Sequence, residues 1–365
     1  MKSVACDTDS VTKMLVRVPN WIGDAVICTP ALLDLRANFP AATMTVLARP
    51  AIGDLLREHP AVDEVFVYDY RGVHRTGWGK VSLAMELRRR AFDVAVLFQN
   101  AFEAACLAAL AGIPERWGYA TDGRALLLTA AVPVPPARRF VHQVLYYRGL
   151  LEDLGLRTGT EGPHLVVTPE EEYALAHRFP ELAAVRHVVC LNPGSVYGTA
   201  KRWLPERFAW VADRLVEECR SVLGDGTVRC VIVGGKGEEA LGRTIRTLMH
   251  TQPVVLSGKT TIRELMCVVK RSLVFLTNDT GPMHIADAFG IPIVAVFGST
   301  DPRTTAPYRA GYRLVRSPVS CAPCLLRHCP IDHRCMTQIS AEEVFQAARA
   351  AVLAGSSPVA QASRS

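Results

Sequence analysis

The chain has 365 residues, 49% hydrophobic and 21% charged, with a formal net charge of +6. That length exceeds one ordinary core, so two domains are expected. The positive balance is mild and dispersed, densest at Arg88-Arg89-Arg90 and Arg138-Arg139. It excludes the basic stripe with interleaved aromatics that nucleic-acid binding needs, and suits a small anionic ligand or an anionic membrane surface.

The first ten residues carry Asp7 and Asp9 and lack the apolar segment of a signal peptide. No apolar run approaches the length of a membrane span, so a soluble, cytoplasmic protein is expected. Lys13 to Val18 reads as a strand, Pro19 to Asp24 as a turn and Ala25 to Asn38 as one helix. Strands follow at Thr43–Ala48, Val65–Tyr68 and Phe92–Phe98, with helices at Ile52–Glu58, Val81–Arg90 and Ala101–Ala111. Leu83 and Leu87 lie four apart on one helical face. Arg116 to Tyr119 reads as a short edge strand, and Val132 to Pro136 as a proline-stiffened extended segment. A helix from Phe140 to Leu154 ends at the glycine-rich stretch Gly155 to Pro163, the expected linker. The first domain is therefore expected over 1–158.

The pattern restarts over 159–354. Pro169 to Arg178 is a helix with Glu170, Glu171 and Glu172 at its start, as the helix dipole favours. Strands at Val188–Asn192, Val228–Val233, Val254–Leu256, Leu273–Leu276 and Pro292–Phe297 alternate with helices at Pro205–Glu218, Glu238–His250, Thr261–Lys270 and Ile285–Gly290. Alternation of this kind predicts α/β units with parallel sheets covered by helices. Residues 355–365 are mostly Ser, Ala, Pro and Gln, the composition of a flexible tail.

Four strand ends in the second half carry Gly/Ser/Thr-rich turns: Asn192-Pro193-Gly194-Ser195, Gly234-Gly235-Lys236-Gly237-Glu238, Asp279-Thr280-Gly281 and Gly298-Ser299-Thr300-Asp301. In an open α/β sheet that edge binds ligands, and N–H groups at a helix start suit a phosphate. Lys201 and Arg202 supply nearby cations. The turns together point to the diphosphate of a sugar nucleotide. No Walker loop and no Gly-x-Gly-x-x-Gly order is present. Asp24, at the first strand–helix junction, is either a general base or an ordinary helix cap. His284, one turn past the phosphate turn, is a further base or a ligand-contacting or structural histidine.

Of eleven cysteines, seven (Cys6, Cys28, Cys106, Cys190, Cys219, Cys230, Cys267) are scattered in mostly apolar contexts, as buried thiols are. The remaining four, Cys321, Cys324, Cys329 and Cys335, lie close together with His328 and His333. They form either a structural metal site or a reduced or disulfide-linked structural knot.

These blocks resemble the ADP-heptose:lipopolysaccharide heptosyltransferases of glycosyltransferase family 9, of the heptosyltransferase II type. The resemblance is carried by Val18-Pro19-Asn20-Trp21-Ile22-Gly23-Asp24-Ala25-Val26, by Asn192 to Ser195 with Lys201-Arg202-Trp203-Leu204-Pro205, by Thr277 to Ala286 with Gly298 to Pro302, and by Cys321 to Cys335 followed by Ile339 to Val344. The family often has Ser where this chain has Asn20.

The resemblance implies a GT-B fold of two facing Rossmann-like domains, with the acceptor held by the N-terminal one and the donor by the C-terminal one. It implies metal-independent, inverting heptose transfer from ADP-heptose to an inner-core heptose of lipopolysaccharide, without a required cofactor. Asp24 would be the general base. Lys201 and the N–H groups around Asp279, Thr280, Gly281 and His284 would stabilise the departing diphosphate. Ser195 would help cradle it, Glu238 would hold the ribose hydroxyls, and Lys259 would lie near the adenine. An acceptor that is part lipid implies transient contact with the inner membrane face, with the two arginine clusters as candidate contacts. The alternatives are a family 9 transferase or GT-B epimerase using another nucleotide sugar or acceptor, and a metal-binding, non-catalytic protein.

Overall fold

The computed structural model describes residues 10–224 and 227–355. Cys6 and the expected tail beyond Gly355 lie outside the described residues. The chain divides into two compact units, one ending at Val166 and the other beginning at Val167. The glycine-rich stretch expected as a linker belongs to the first unit. There Gly159 N donates to Asp34 Oδ1 (2.8 Å) and His164 N to Thr29 Oγ1 (2.9 Å), which ties the segment down.

The first unit contains β1 (Lys13–Arg17), β2 (Thr43–Ala48), β3 (Glu64–Val67), β4 (Val94–Leu97), β5 (Glu115–Tyr119) and β6 (Ala130–Val132). They form one sheet in the order β3-β2-β1-β4-β5-β6, with every pairing parallel. β4 is buried along its whole length, as a strand covered on both faces must be. Leu15, Leu47 and Leu97 from the strands pack with Leu83, Leu87 and Leu107 from the helices Gly77–Arg90 and Phe102–Leu110.

Three sequence expectations change here. β5 is an inner strand, because Ala130–Val132 pairs outside it and forms the edge. The helix expected from Ala25 to Asn38 is two helices, Ile22–Ile27 and Thr29–Asn38. Pro30 has no N–H for the Val26 carbonyl, and the Thr29 hydroxyl takes that carbonyl instead (2.7 Å). The helix expected from Val81 begins earlier, at Gly77, capped by the Thr76 side chain.

The second unit contains β7 (His187–Asn192), β8 (Val228–Ile232), β9 (Val254–Val255), β10 (Ser272–Asn278), β11 (Ile293–Phe297) and β12 (Arg313–Arg316). Its order, β12-β11-β10-β7-β8-β9, is also wholly parallel. Both sheets therefore change direction beside their first strand, at β1/β4 and at β7/β10. Ligands of open α/β sheets bind outside the carboxyl ends of strands at such a switch point.

One face of the second sheet presents Val189, Leu191, Cys230, Ile232, Val274, Leu276, Val294 and Val296. The helix Pro205–Leu223 meets it with Phe208, Val211, Ala212, Leu215, Val216 and Cys219, spaced three and four apart. Pro205 opens that helix, and Gly224 closes it in the left-handed region. The helix Ala341–Gly355 adds Val344, Phe345, Ala348 and Ala351 to the same core. Burial of each large apolar side chain contributes roughly 1.5–3 kcal/mol, which holds the strand ends in register.

Among the described residues no helix is long and apolar enough to cross a membrane. All ten described cysteines are free thiols, and Cys28, Cys190, Cys219, Cys230 and Cys267 are buried. Burial pushes the Cys190 thiol up to about 12 and those of Cys219 and Cys267 up to about 11.

Candidate active site

The switch point of the second sheet is built by paired strand ends. In register, Thr277 of β10 stands beside Asn192 of β7. Asn192 Nδ2 donates to Thr277 Oγ1 (3.1 Å). Asn278 Nδ2 donates to the Pro193 carbonyl (2.7 Å), while its Oδ1 accepts from Trp203 N (3.1 Å). These buried amides fix the turn after β7 and the segment carrying Lys201 to the end of β10. Trp203 is itself buried against Phe208, and its Nε1 donates to the Ile339 carbonyl (3.1 Å).

Lys201 and Asp279 form an ion pair of 2.6 Å, with side chains 13% and 5% exposed. The same Asp279 oxygen accepts from Thr300 Oγ1 (2.5 Å). The ammonium also lies 4.8 Å from the centre of the Tyr197 ring, a cation–π contact. A carboxylate repels a diphosphate, so Asp279 is suited to orienting Lys201 and Thr300 rather than to holding phosphate itself. Thr280 is the N-cap of the helix Gly281–Ala288, with extended backbone and no side-chain cap bond. His284 is buried within that helix.

Polar oxygens line up at this edge. Ser195 Oγ follows β7, Glu238 Oε1 follows β8, Ser257 Oγ follows β9 and Ser299 Oγ follows β11. Each is buried and, among the described residues, has no hydrogen-bond partner. An unsatisfied buried polar atom costs about 1–3 kcal/mol, so the four at this sheet edge are groups that a polar ligand seated there would satisfy. The hydroxyls can donate to phosphate oxygens, and the carboxylate can accept from sugar hydroxyls.

Glycines admit this arrangement. A Cβ at Gly194 would lie 2.1 Å from the Glu238 carboxylate, so only glycine lets that side chain reach across from β8 toward β7. Glu238 Oε2 is held by Gly235 N (2.8 Å). Arg202 Nη2 donates to the Ser195 carbonyl (3.1 Å). Lys259, exposed after β9, accepts at its backbone carbonyl from Arg178 Nη2 (3.0 Å). Sequence reasoning singled out Ser195, Glu238, Lys201, Asp279, Thr280 and Gly281, and the fold gathers them at one edge. It passed over Ser257, Ser299 and Thr300 as site residues, although each sits in a small-residue turn at a strand's carboxyl end.

Asp24 lies in the first unit, in the first turn of the helix Ile22–Ile27. Trp21 occupies the N-cap position, with extended backbone and no side-chain cap bond. Asp24 is therefore not the cap that its spacing allowed, and it follows β1, beside that sheet's own switch point. Arg17 fixes the preceding turn: its buried guanidinium donates to the Val18 and Leu47 carbonyls (2.9 and 3.1 Å) and to Asn20 Oδ1 (2.8 Å). Burial lowers Arg17 to about 10, still charged at neutral pH. Burial first, and the Asp24 charge second, push the Tyr147 phenol and the Cys28 thiol well up.

Among the described residues no group of three or more His, Cys, Asp or Glu side chains is gathered as a metal ion requires. The structural metal site considered for Cys321, Cys324, Cys329 and Cys335 is not supported. Cys335 is buried against Gly298 and its thiol is pushed up to about 11 by burial, while Cys321 and Cys324 are exposed. The arginine clusters are partly neutralised: Arg90 pairs with Glu64 (2.5 Å), and Arg138 pairs with Glu152 (2.8 Å) and Asp153 (3.2 Å).

The sequence profile of glycosyltransferase family 9 (heptosyltransferase) matches residues 80–334, well over half of the chain. The chain belongs to glycosyltransferase family 9. It is accordingly a glycosyltransferase. Lipopolysaccharide heptosyltransferase 2 of Escherichia coli is 28% identical over 316 residues, covering 83% of this chain and 88% of that protein. Lipooligosaccharide heptosyltransferase 2 of Campylobacter jejuni is 26% identical over 340 residues, covering 92% and 97%. The solved structure of E. coli ADP-heptose lipopolysaccharide heptosyltransferase II matches with a TM-score of 0.79 at 25% identity, over 95% of this chain and all of that one. The two α/β units are thus those of the GT-B class.

Proposed function

We propose that this family 9 enzyme transfers heptose from ADP-heptose to an inner-core heptose of lipopolysaccharide, with inversion at the anomeric carbon. The observation that carries the reading is the Lys201–Asp279–Thr300 chain set among four buried, unpartnered side-chain oxygens at the switch point. The relatives named lipooligosaccharide or lipopolysaccharide heptosyltransferase 2, and the solved ADP-heptose lipopolysaccharide heptosyltransferase II, support an ADP-heptose donor and a lipopolysaccharide acceptor.

The acceptor hydroxyl oxygen attacks the anomeric carbon and its proton passes to the Asp24 carboxylate. A new glycosidic C–O bond forms while the bond from that carbon to the β-phosphate oxygen breaks, and ADP leaves. Negative charge grows on the departing diphosphate. Lys201, the N–H groups of Thr280 and Gly281, and the hydroxyls of Ser195 and Ser299 stabilise it there, where fixed donors lower the barrier most. Glu238 accepts from the ribose hydroxyls, and the backbone near Lys259 borders the adenine. No step requires a metal ion. The lipid-bearing acceptor brings the enzyme to the inner membrane face, where the exposed Arg88, Arg89 and Arg139 meet anionic headgroups.

Purified protein incubated with a heptose-primed core acceptor and either ADP-heptose or a UDP-sugar tests this. ADP-heptose alone is expected to yield product one heptose heavier. Turnover of the UDP-sugar with none of ADP-heptose would overturn the reading.

A further inference from the structure

The cysteine-rich segment has no part in the chemistry above, yet it touches the turns that carry that chemistry. The Leu325 and Arg327 carbonyls accept from Tyr197 OH (2.8 Å) and Ala200 N (3.0 Å). His333 Nε2 donates to the Ala200 carbonyl (3.0 Å), and His328 Nδ1 lies 3.0 Å from Thr199 Oγ1. Gly198 is pressed so closely that a Cβ there would lie 2.2 Å from the Arg327 carbonyl oxygen. Both strands of contact converge on the loop Tyr197–Lys201.

The same segment also fixes the opposite turn. Leu325 N donates to the Ser299 carbonyl (2.8 Å). Met336 and Cys335 close over Gly298, where a Cβ would come within 2.9 and 3.1 Å of their side chains. Lys201 stands on the first turn and Thr300 on the second, and Asp279 joins them. One segment thus holds both ends of the chain that aims the ammonium.

Its backbone is strained where it makes these contacts. Leu325 and His333 are non-glycine residues at φ 58° and 56°. Left-handed backbone is unfavourable for such residues, and it persists where surrounding contacts over-determine it.

We propose that the segment Leu325–Met336 is a brace for Lys201, with His333 and His328 as positioning residues that act through the Tyr197–Lys201 loop on the leaving diphosphate. The inference rests on the donor-site reading. It gives the cysteine-rich stretch a task independent of metal or disulfide chemistry. His333 acts as the neutral tautomer protonated at Nε2, or as the imidazolium, since only these donate to a carbonyl.

A double-mutant cycle with ADP as the probe tests it. ADP affinity is measured by calorimetry for wild type, His333→Ala, Lys201→Ala and the double variant, with melting temperatures in parallel. His333→Ala is expected to weaken ADP about tenfold in the wild-type background, equivalent to about 1.4 kcal/mol, and less than about twofold once Lys201 is gone. His333→Gln, whose amide reaches as far as Nε2, is expected to recover most of the loss. His328 is exposed, so His328→Ala reads the same brace should His333→Ala fail to fold. Equal losses in both backgrounds, or unchanged ADP affinity in folded His333→Ala and His328→Ala, would overturn the brace. Wild type that binds ADP yet transfers no heptose would overturn the functional reading and leave the brace standing. Wild type that does not bind ADP would overturn both.

Discussion

The Asp279 carboxylate joins two turns that are far apart in sequence: one oxygen accepts from Lys201 at 2.6 Å and from Thr300 at 2.5 Å. Both partners of the ion pair are mostly buried, so the ammonium is held in place by the protein's own groups. Fixed cations stabilise developing charge without reorganising during reaction.

Lys201→Ala should lower kcat by about 10²–10³, the range seen when one preorganised donor is removed from an oxyanion site. Asp279→Asn should behave differently. Its amide still accepts from Thr300, but the buried ammonium loses its counter-charge, which destabilises the ligand-free protein. ADP then supplies the missing negative charge. The rise in melting temperature on adding ADP should therefore be larger in Asp279→Asn than in wild type. Scanning fluorimetry with and without ADP measures it; a smaller rise would show that Asp279 contributes to binding directly.

Gly194→Ala should impair donor recognition, because the new Cβ would overlap the Glu238 carboxylate. An increase in the donor KM of about tenfold or more is expected, matching the loss of a charge-assisted hydrogen bond. Gly235→Ala is the control, since its Cβ would meet Glu238 Oε2 only at 3.9 Å and its N–H is retained. Steady-state kinetics on both variants separate a contact at Glu238 from a general intolerance of the turns.

His59 should make the first unit acid-sensitive. It is buried, with a second histidine, His164, at 6.0 Å between ring centres. Burial, and then the His164 charge, lower its pKa from 6.5 to about 3. The unfolded chain takes up this proton below 6.5 and the folded chain only near 3. Stability is thus full above 6.5 and falls as the pH drops toward 3, by up to about 1.4 kcal/mol per pH unit. Asp287, raised by burial to about 6, acts oppositely in the second unit: its contribution is present below 3.8 and lost as pH rises through 6. His59→Asn keeps an acceptor for Ala61 N and should flatten the decline in urea midpoint between pH 6.5 and 4.

Asp34→Ala should destabilise the first unit. Asp34 pairs with Arg148 at 2.7 Å, with side chains 5% and 3% exposed. Removing one partner of a buried pair costs about 3–5 kcal/mol. Asp34 also accepts from Gly159 N, so the stretch after Arg157 should become more susceptible to limited proteolysis. Denaturant midpoints and protease mapping check the two effects together.

Which of these features can be read from the chain alone follows from their range. The strand–helix alternation and the glycine and serine turns are local patterns, and the strand-end turns do converge on β7 and β10. The edge strands Ala130–Val132 and Arg313–Arg316 are three and four residues long and partly exposed, too short to show a strand's periodic pattern. The break at Cys28 was hidden because proline is tolerated in a first helical turn, so Pro30 does not itself mark where one helix stops and another begins. Ser257 and Ser299 look like any turn serines, since the lack of partners emerges only from packing. The contacts from Leu325, Arg327, His328 and His333 to residues 197–200 span well over a hundred residues of sequence, and no local signal announces them.

The most direct measurement is mass spectrometry of a heptose-primed core acceptor after incubation with ADP-heptose and either wild type or Asp24→Asn. Wild type should add one heptose. Asp24→Asn should bind ADP-heptose nearly as tightly yet transfer at least about 10²-fold more slowly, within the range for loss of a general base. Transfer by Asp24→Asn at close to the wild-type rate, or an unmodified acceptor with wild type, would contradict heptosyl transfer by this mechanism.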